Sequence, residues 1–92
     1  MKILFLGDIY ARPGREAIAN HLSALKDKFQ PDILVVNGEN AAAGSGITLK
    51  IAKTLFEQGF ACITTGNHVW RQKEIIAHIN SYPALLRPAN YP

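Results

Sequence analysis

Apolar residues occur in three short unbroken runs and three longer periodic ones, and the two kinds alternate. Ile3-Leu4-Phe5-Leu6, Ile33-Leu34-Val35-Val36 and Ala61-Cys62-Ile63 are continuous, the last running on through Thr64-Thr65 as the third expected strand. Such runs, bounded by turn residues, predict strands of a parallel sheet, and the first, Lys2 to Leu6, is expected to be buried on both faces. Between the first two runs, Ile18, Leu22, Leu25 and Phe29 recur at spacings of four, three and four, which makes one helical stripe. Pro13 suits the first turn of that helix and Gln30-Pro31-Asp32 its end. Thr48 is placed to cap a second helix with Ile51, Ala52, Leu55 and Phe56 facing inward, and Gly59 to terminate it. A third helix should run to about Ile79, with Ile75, Ile76 and Ile79 on its inner side, and the prolines at 83, 88 and 92 predict irregular chain beyond. The order is βαβαβα. Right-handed crossovers then give an α/β fold, a parallel sheet flanked by helices, in one domain over residues 1–92.

Each strand run ends in a polar cluster that begins with glycine: Gly7-Asp8, Gly38-Glu39-Asn40 and Gly66-Asn67-His68. The carboxyl ends of parallel strands share one rim, where ligand sites of such folds lie. Asp8 taken alone reads equally as a metal ligand or as a cap carboxylate. A carboxylate at Glu39 can bridge two cations about 3.5–4 Å apart, the geometry of two-metal hydrolases. Its neighbour Asn40 reaches the same place only if the chain turns sharply, a freedom ascribed to Gly38; otherwise Asn40 simply takes a left-handed turn. Asn67 offers an amide oxygen and His68 a proton donor, although an isolated Asn-His pair would read as an ordinary turn. The case rests on three clusters sharing one edge.

Composition narrows the field. The chain has 92 residues, 48% of them hydrophobic and 18% charged, with a formal net charge of +3. The cations lie mostly on predicted helix faces among acidic residues, and no basic stripe with interleaved aromatics suggests a nucleic-acid groove. Arg12 and Arg15, beside Gly14, could meet a phosphate at a helix start, but a solvated face is the stronger reading. The first apolar run is too short for a signal core or membrane span, so a cytoplasmic protein with no membrane partner is expected. Cys62 is the single cysteine and reads as a buried, inert thiol. His21 and His78 fall within helices and read as structural; Trp70 reads as a wall of the site or as core.

Five segments together carry a resemblance: Leu6-Gly7-Asp8, Asn37-Gly38-Glu39-Asn40-Ala41, Gly44-Ser45-Gly46-Ile47-Thr48, Thr65-Gly66-Asn67-His68-Val69-Trp70, and Leu86-Arg87-Pro88-Ala89-Asn90-Tyr91-Pro92. In this order they resemble the YmdB-like metallophosphoesterases, relatives of the calcineurin-like phosphoesterase superfamily, from Met1 to Pro92. The resemblance implies the N-terminal part of a metallophosphoesterase-like α/β sandwich. It also implies a hydrolase with two divalent transition-metal ions, iron first and manganese or zinc as alternatives, acting as a phosphodiesterase on cyclic nucleotides, 2′,3′-cyclic ones in particular. By the same resemblance Asp8 binds the first metal, Glu39 bridges, Asn40 and Asn67 serve the second, and His68 gives the proton. The superfamily's usual Asp-x-His is here Asp8-Ile9-Tyr10, and Glu39 stands where aspartate is common, both as expected of this subfamily. The family's further histidine ligands come from later strands, so this chain is expected to hold only part of the site and to be inactive alone. Two other readings stand beside this one. One is a non-catalytic assembly module that forms homo-oligomers through an exposed sheet edge. The other is a metal-free nucleotide-binding protein, which the absence of a glycine fingerprint after the first strand opposes.

Overall fold

The computed structural model describes residues 1–91. Its elements are β1 (Ile3–Leu6), α1 (Ala11–Phe29), β2 (Ile33–Asn37), α2 (Leu49–Glu57), β3 (Cys62–Thr64) and α3 (Lys73–His78), the last continued by a 3-10 turn, Ile79–Ser81. The strands form one parallel sheet in the order β1-β2-β3. This is the α/β architecture expected from the alternating runs.

The caps follow from local chemistry. Gln30 ends α1 in a left-handed conformation, its N–H donating to the Lys26 carbonyl. The Thr48 hydroxyl accepts from the Ile51 N–H at 3.2 Å and caps α2. Gly59, at φ +106°, turns the chain into β3.

Burial alternates along the strands, because side chains of a strand point to opposite faces in turn. Leu34, Val36 and Ile63 are buried against Ile18 and Leu22 of α1, Ala52 and Leu55 of α2, and Ile75 and Ile79; Leu4 and Leu6 of β1 pack on the same cluster. The opposite face of β1 is open. Ile3 is 58% exposed and Phe5 53%, so β1 is not buried on both faces as its composition suggested. The reason is topological. Strand order 1-2-3 with crossovers of one hand carries α1 and α2 over the same side of the sheet. Ile76 is likewise 57% exposed, not inward, since Ile75 and Ile79, about one turn apart, define the buried side and Ile76 lies about 100° round the helix from Ile75. Beyond Pro83 the chain is less irregular than its prolines implied: Leu85 bridges Ile63 in parallel, through Ile63 N–H to the Ala84 carbonyl and Leu86 N–H to the Ile63 carbonyl, each 2.9 Å. No helix among the described residues is long and apolar enough to cross a membrane.

Register sets the rim. Leu6 lies beside Val36, and Asn37 beside Thr64, so the residues that follow each strand emerge at one level.

Candidate active site

The rim is stitched by backbone hydrogen bonds before any side chain acts. Ile9 N–H donates to the Asn37 carbonyl at 3.3 Å, Gly38 N–H to Thr64 at 2.8 Å, and Ala11 N–H to Asn40 at 2.9 Å. The Asn37 side chain accepts from Glu39 N–H at 3.1 Å, an Asx turn that starts the loop. Ala41 N–H closes back on the Gly38 carbonyl and Gly46 N–H on the Glu39 carbonyl. Left-handed backbone concentrates here, at Ala11, Ala43, Gly44 and Gly46. For the two alanines that conformation costs about 1 kcal/mol each, and the stitching holds it in place.

Gly38 serves a different purpose from the one inferred from sequence. Its φ is not positive, so it supplies no unusual turn. It supplies room: a Cβ there would meet Ile63 Cγ2 at 2.9 Å and Ile47 Cδ1 at 3.0 Å, both core atoms.

Four of the five expected site residues meet. The Asn40 Nδ2 amine donates to both Asp8 carboxylate oxygens, at 3.0 and 3.1 Å. Its Oδ1 lies 2.6 Å from His68 Nδ1. An ionised carboxylate only accepts, so the amine end of Asn40 must face Asp8 and the carbonyl end must face His68. His68 Nδ1 therefore carries the hydrogen and donates to Asn40, which leaves Nε2 unengaged by this chain of bonds. Glu39 Oε2 stands 3.7 Å from the same Nδ1. The Glu39 carboxylate lies over Gly66, in the space a Cβ would fill. Asn67, in the turn after Gly66, is exposed and takes no part in these bonds among the described residues.

Tyr10 and Asn37 carried no assigned role in the sequence. The Tyr10 hydroxyl end packs against Gly44, closing one side of the loop that presents Glu39 and Asn40. The small-residue loop after β2 was the hint, since a tight contact with an aromatic ring needs a glycine beneath it. Trp70 is half-buried and packs on the core. His21 and His78 are exposed on their helices.

The donor set suits part of a hard-cation shell. It offers two carboxylates, of which Asp8 is exposed and keeps unused lone pairs, and amide oxygens with one lone pair to spare. It is short of anionic and imidazole ligands: among the described residues no group of three or more His, Cys, Asp or Glu side chains could hold a metal ion.

Residues 4–92 match the family described as YmdB-like protein. The chain is 47% identical over 92 residues to a Bacillus subtilis (strain 168) protein named 2′,3′-cyclic-nucleotide 2′-phosphodiesterase, covering all of this chain and 35% of that one. A crystal structure of a Mycoplasma pneumoniae protein titled a novel phosphatase superposes with a TM-score of 0.92 at 43% identity, over 100% of this chain and 33% of that one. A hypothetical protein from Thermus thermophilus gives 0.86 at 40%, over 100% and 35%. This chain thus spans about a third of the length of these relatives. With the rim geometry, the strand order and a match that runs from β1 to the last residue all in agreement, the chain belongs to the YmdB-like family.

Proposed function

We propose that this chain supplies one wall of a metal-dependent phosphodiesterase centre that opens 2′,3′-cyclic nucleotides. The hydrogen-bonded series Asp8–Asn40–His68, with Glu39 beside it, carries the reading. Asp8, Glu39, Asn40 and Asn67 would hold part of a two-metal site, with iron, manganese or zinc the matching ions. Bound there, the metals would polarise the phosphoryl group and activate water.

The chain's own residues have separate tasks. Asn40 fixes the ring by accepting from Nδ1–H, so Nε2 faces the reaction, and in the imidazolium, where both nitrogens carry hydrogen, the transferable proton is the one on Nε2. His68 gives that proton to the ribose oxygen leaving phosphorus, which would otherwise depart as a costly alkoxide. Glu39, beside the ring, sets a negative charge against the imidazolium from which the proton leaves. Two carboxylates and neutral amides are a weak shell for transition metals, so the isolated chain should turn over little or no cyclic nucleotide.

The test is a chimera in which this chain replaces the matching third of the Bacillus relative. It should hydrolyse 2′,3′-cyclic AMP. His68→Ala in that chimera should lower kcat by about 10²-fold or more with metal content unchanged. Equal loss of metal and activity would make His68 a ligand and refute its role as the acid; a folded, metal-loaded chimera without activity would refute the function.

A further inference from the structure

A second concave site lies between α1 and α2, and none of its lining residues belongs to the rim. It is a groove of about 470 Å³, within the range of small-molecule sites. It exists because the two helices pack on the sheet through Ile18, Leu22, Ala52 and Leu55 but approach each other little. Half-buried Ile51 forms the apolar floor, with Leu55 almost fully covered beneath it. Arg12 and Arg15 of α1 stand on one side and Lys50 of α2 on the other.

The charge on this groove is not balanced from within. Glu16 bonds Arg12 at 3.0 Å and neutralises it. Arg15 and Lys50 have no carboxylate within 4.0 Å among the described residues. Arg15 is also half-buried.

We propose that this groove binds a nucleoside monophosphate. The phosphate dianion would sit between the Arg15 fork and the Lys50 ammonium, a pairing in which charge-assisted hydrogen bonds are strongest. The flat base would lie on Ile51. The inference is independent of the rim chemistry, because a groove of this composition would bind its ligand whether or not the rim is catalytic.

The experiment titrates the 92-residue chain with AMP in low salt and follows backbone amide spectra. Shifts should centre on Arg15, Ile51 and Leu55. Arg15→Gln and Lys50→Gln should each weaken AMP about fivefold or more, as expected for one exposed charge-assisted contact. Adenosine and inorganic phosphate should each bind more weakly than AMP, and Lys73→Gln, the same charge removed from the exposed start of α3, should leave AMP affinity unchanged. Both glutamine variants keep a good helix former at their positions, and their unliganded spectra verify the fold. Shifts confined to residues 39–40 and 66–68, or affinity indifferent to Arg15 and Lys50, would overturn the proposal. Inorganic phosphate binding as tightly as AMP would overturn its nucleoside part.

Discussion

Gly66→Ala probes the rim with one methyl group. A Cβ built at Gly66 falls 2.5 Å from Glu39 Oε1 and Cδ and closer still to Oε2. Ordinary contact begins near 3.4 Å, so the carboxylate must retreat by roughly 1 Å or the backbone must yield. Gly66 has no positive φ, which removes backbone strain from the account. What remains is overpacking, which costs about 1–3 kcal/mol in a closed core. Glu39 keeps 21% of its side-chain exposure and can swing toward water, so the low end applies, about 1 kcal/mol. For a domain this size that is a fall in Tm of about 4–8 °C.

A double-mutant cycle by urea denaturation separates the cause from any general intolerance of alanine. Glu39→Ala alone should cost little, because among the described residues its carboxylate makes only the 3.7 Å approach to His68. In the Glu39→Ala background, Gly66→Ala should cost close to nothing, giving a coupling of about 1 kcal/mol. Gly44→Ala supplies the contrast. There a Cβ meets the Tyr10 ring at φ +85°, so removing the ring should relieve only part of the loss and the left-handed backbone should keep about 1 kcal/mol. If Gly66→Ala remains as damaging without the Glu39 side chain, the carboxylate does not lie where described, and the placement of Glu39 at the rim fails with it.

Two further outcomes follow from other contacts. Asn40→Ala removes the acceptor that holds His68 Nδ1–H, so ring nitrogen shifts should move toward the Nε2–H tautomer favoured in water; an unchanged ratio would contradict the hydrogen-bond directions assigned here. Burial pushes the Cys62 thiol above its ordinary range, so alkylation near pH 8 should be slower than for a free thiol and should accelerate as pH rises through the elevated value. The same shift means that the folded state holds this proton more tightly, so its contribution to stability is fully present below the unfolded thiol's pKa and is lost as pH rises through the elevated folded one; alkylation as fast as in urea-unfolded chain would show the thiol open instead.

Much of what depended on local pattern was legible in the sequence. Thr48 caps α2, Gln30 ends α1, and the apolar runs give way to polar residues at the glycines that follow each strand. That Asp8, Glu39, Asn40 and His68 lie on one rim followed from parallel topology, since register brings every strand end to one level; that Asn67 on the same rim stays outside their bonds did not. What was not legible depended on which partner each group would find. An apolar run such as Ile3 to Leu6 cannot say whether one or both of its faces are covered. That depends on how many crossovers lie on each side, a property of strand order. Ala84 to Leu86 was obscured by the prolines at 83 and 88, which bracket a short stretch just long enough to pair with Ile63.

The division of labour at Asn40 was hidden for a different reason. As a residue type it reads as a ligand, because an amide oxygen is what a hard cation accepts. Its surroundings give it two neighbours of opposite need: Asp8 can only accept and His68 must donate. A side-chain amide satisfies both at once, with its nitrogen on one side and its oxygen on the other. Aspartate there would set a second carboxylate against Asp8, and alanine would leave the imidazole free to turn. The pairing of Glu39 with Asn40, instead of two acids, thus answers to the position of His68 across the rim, a separation of 28 residues in sequence that no reading of neighbours could bridge.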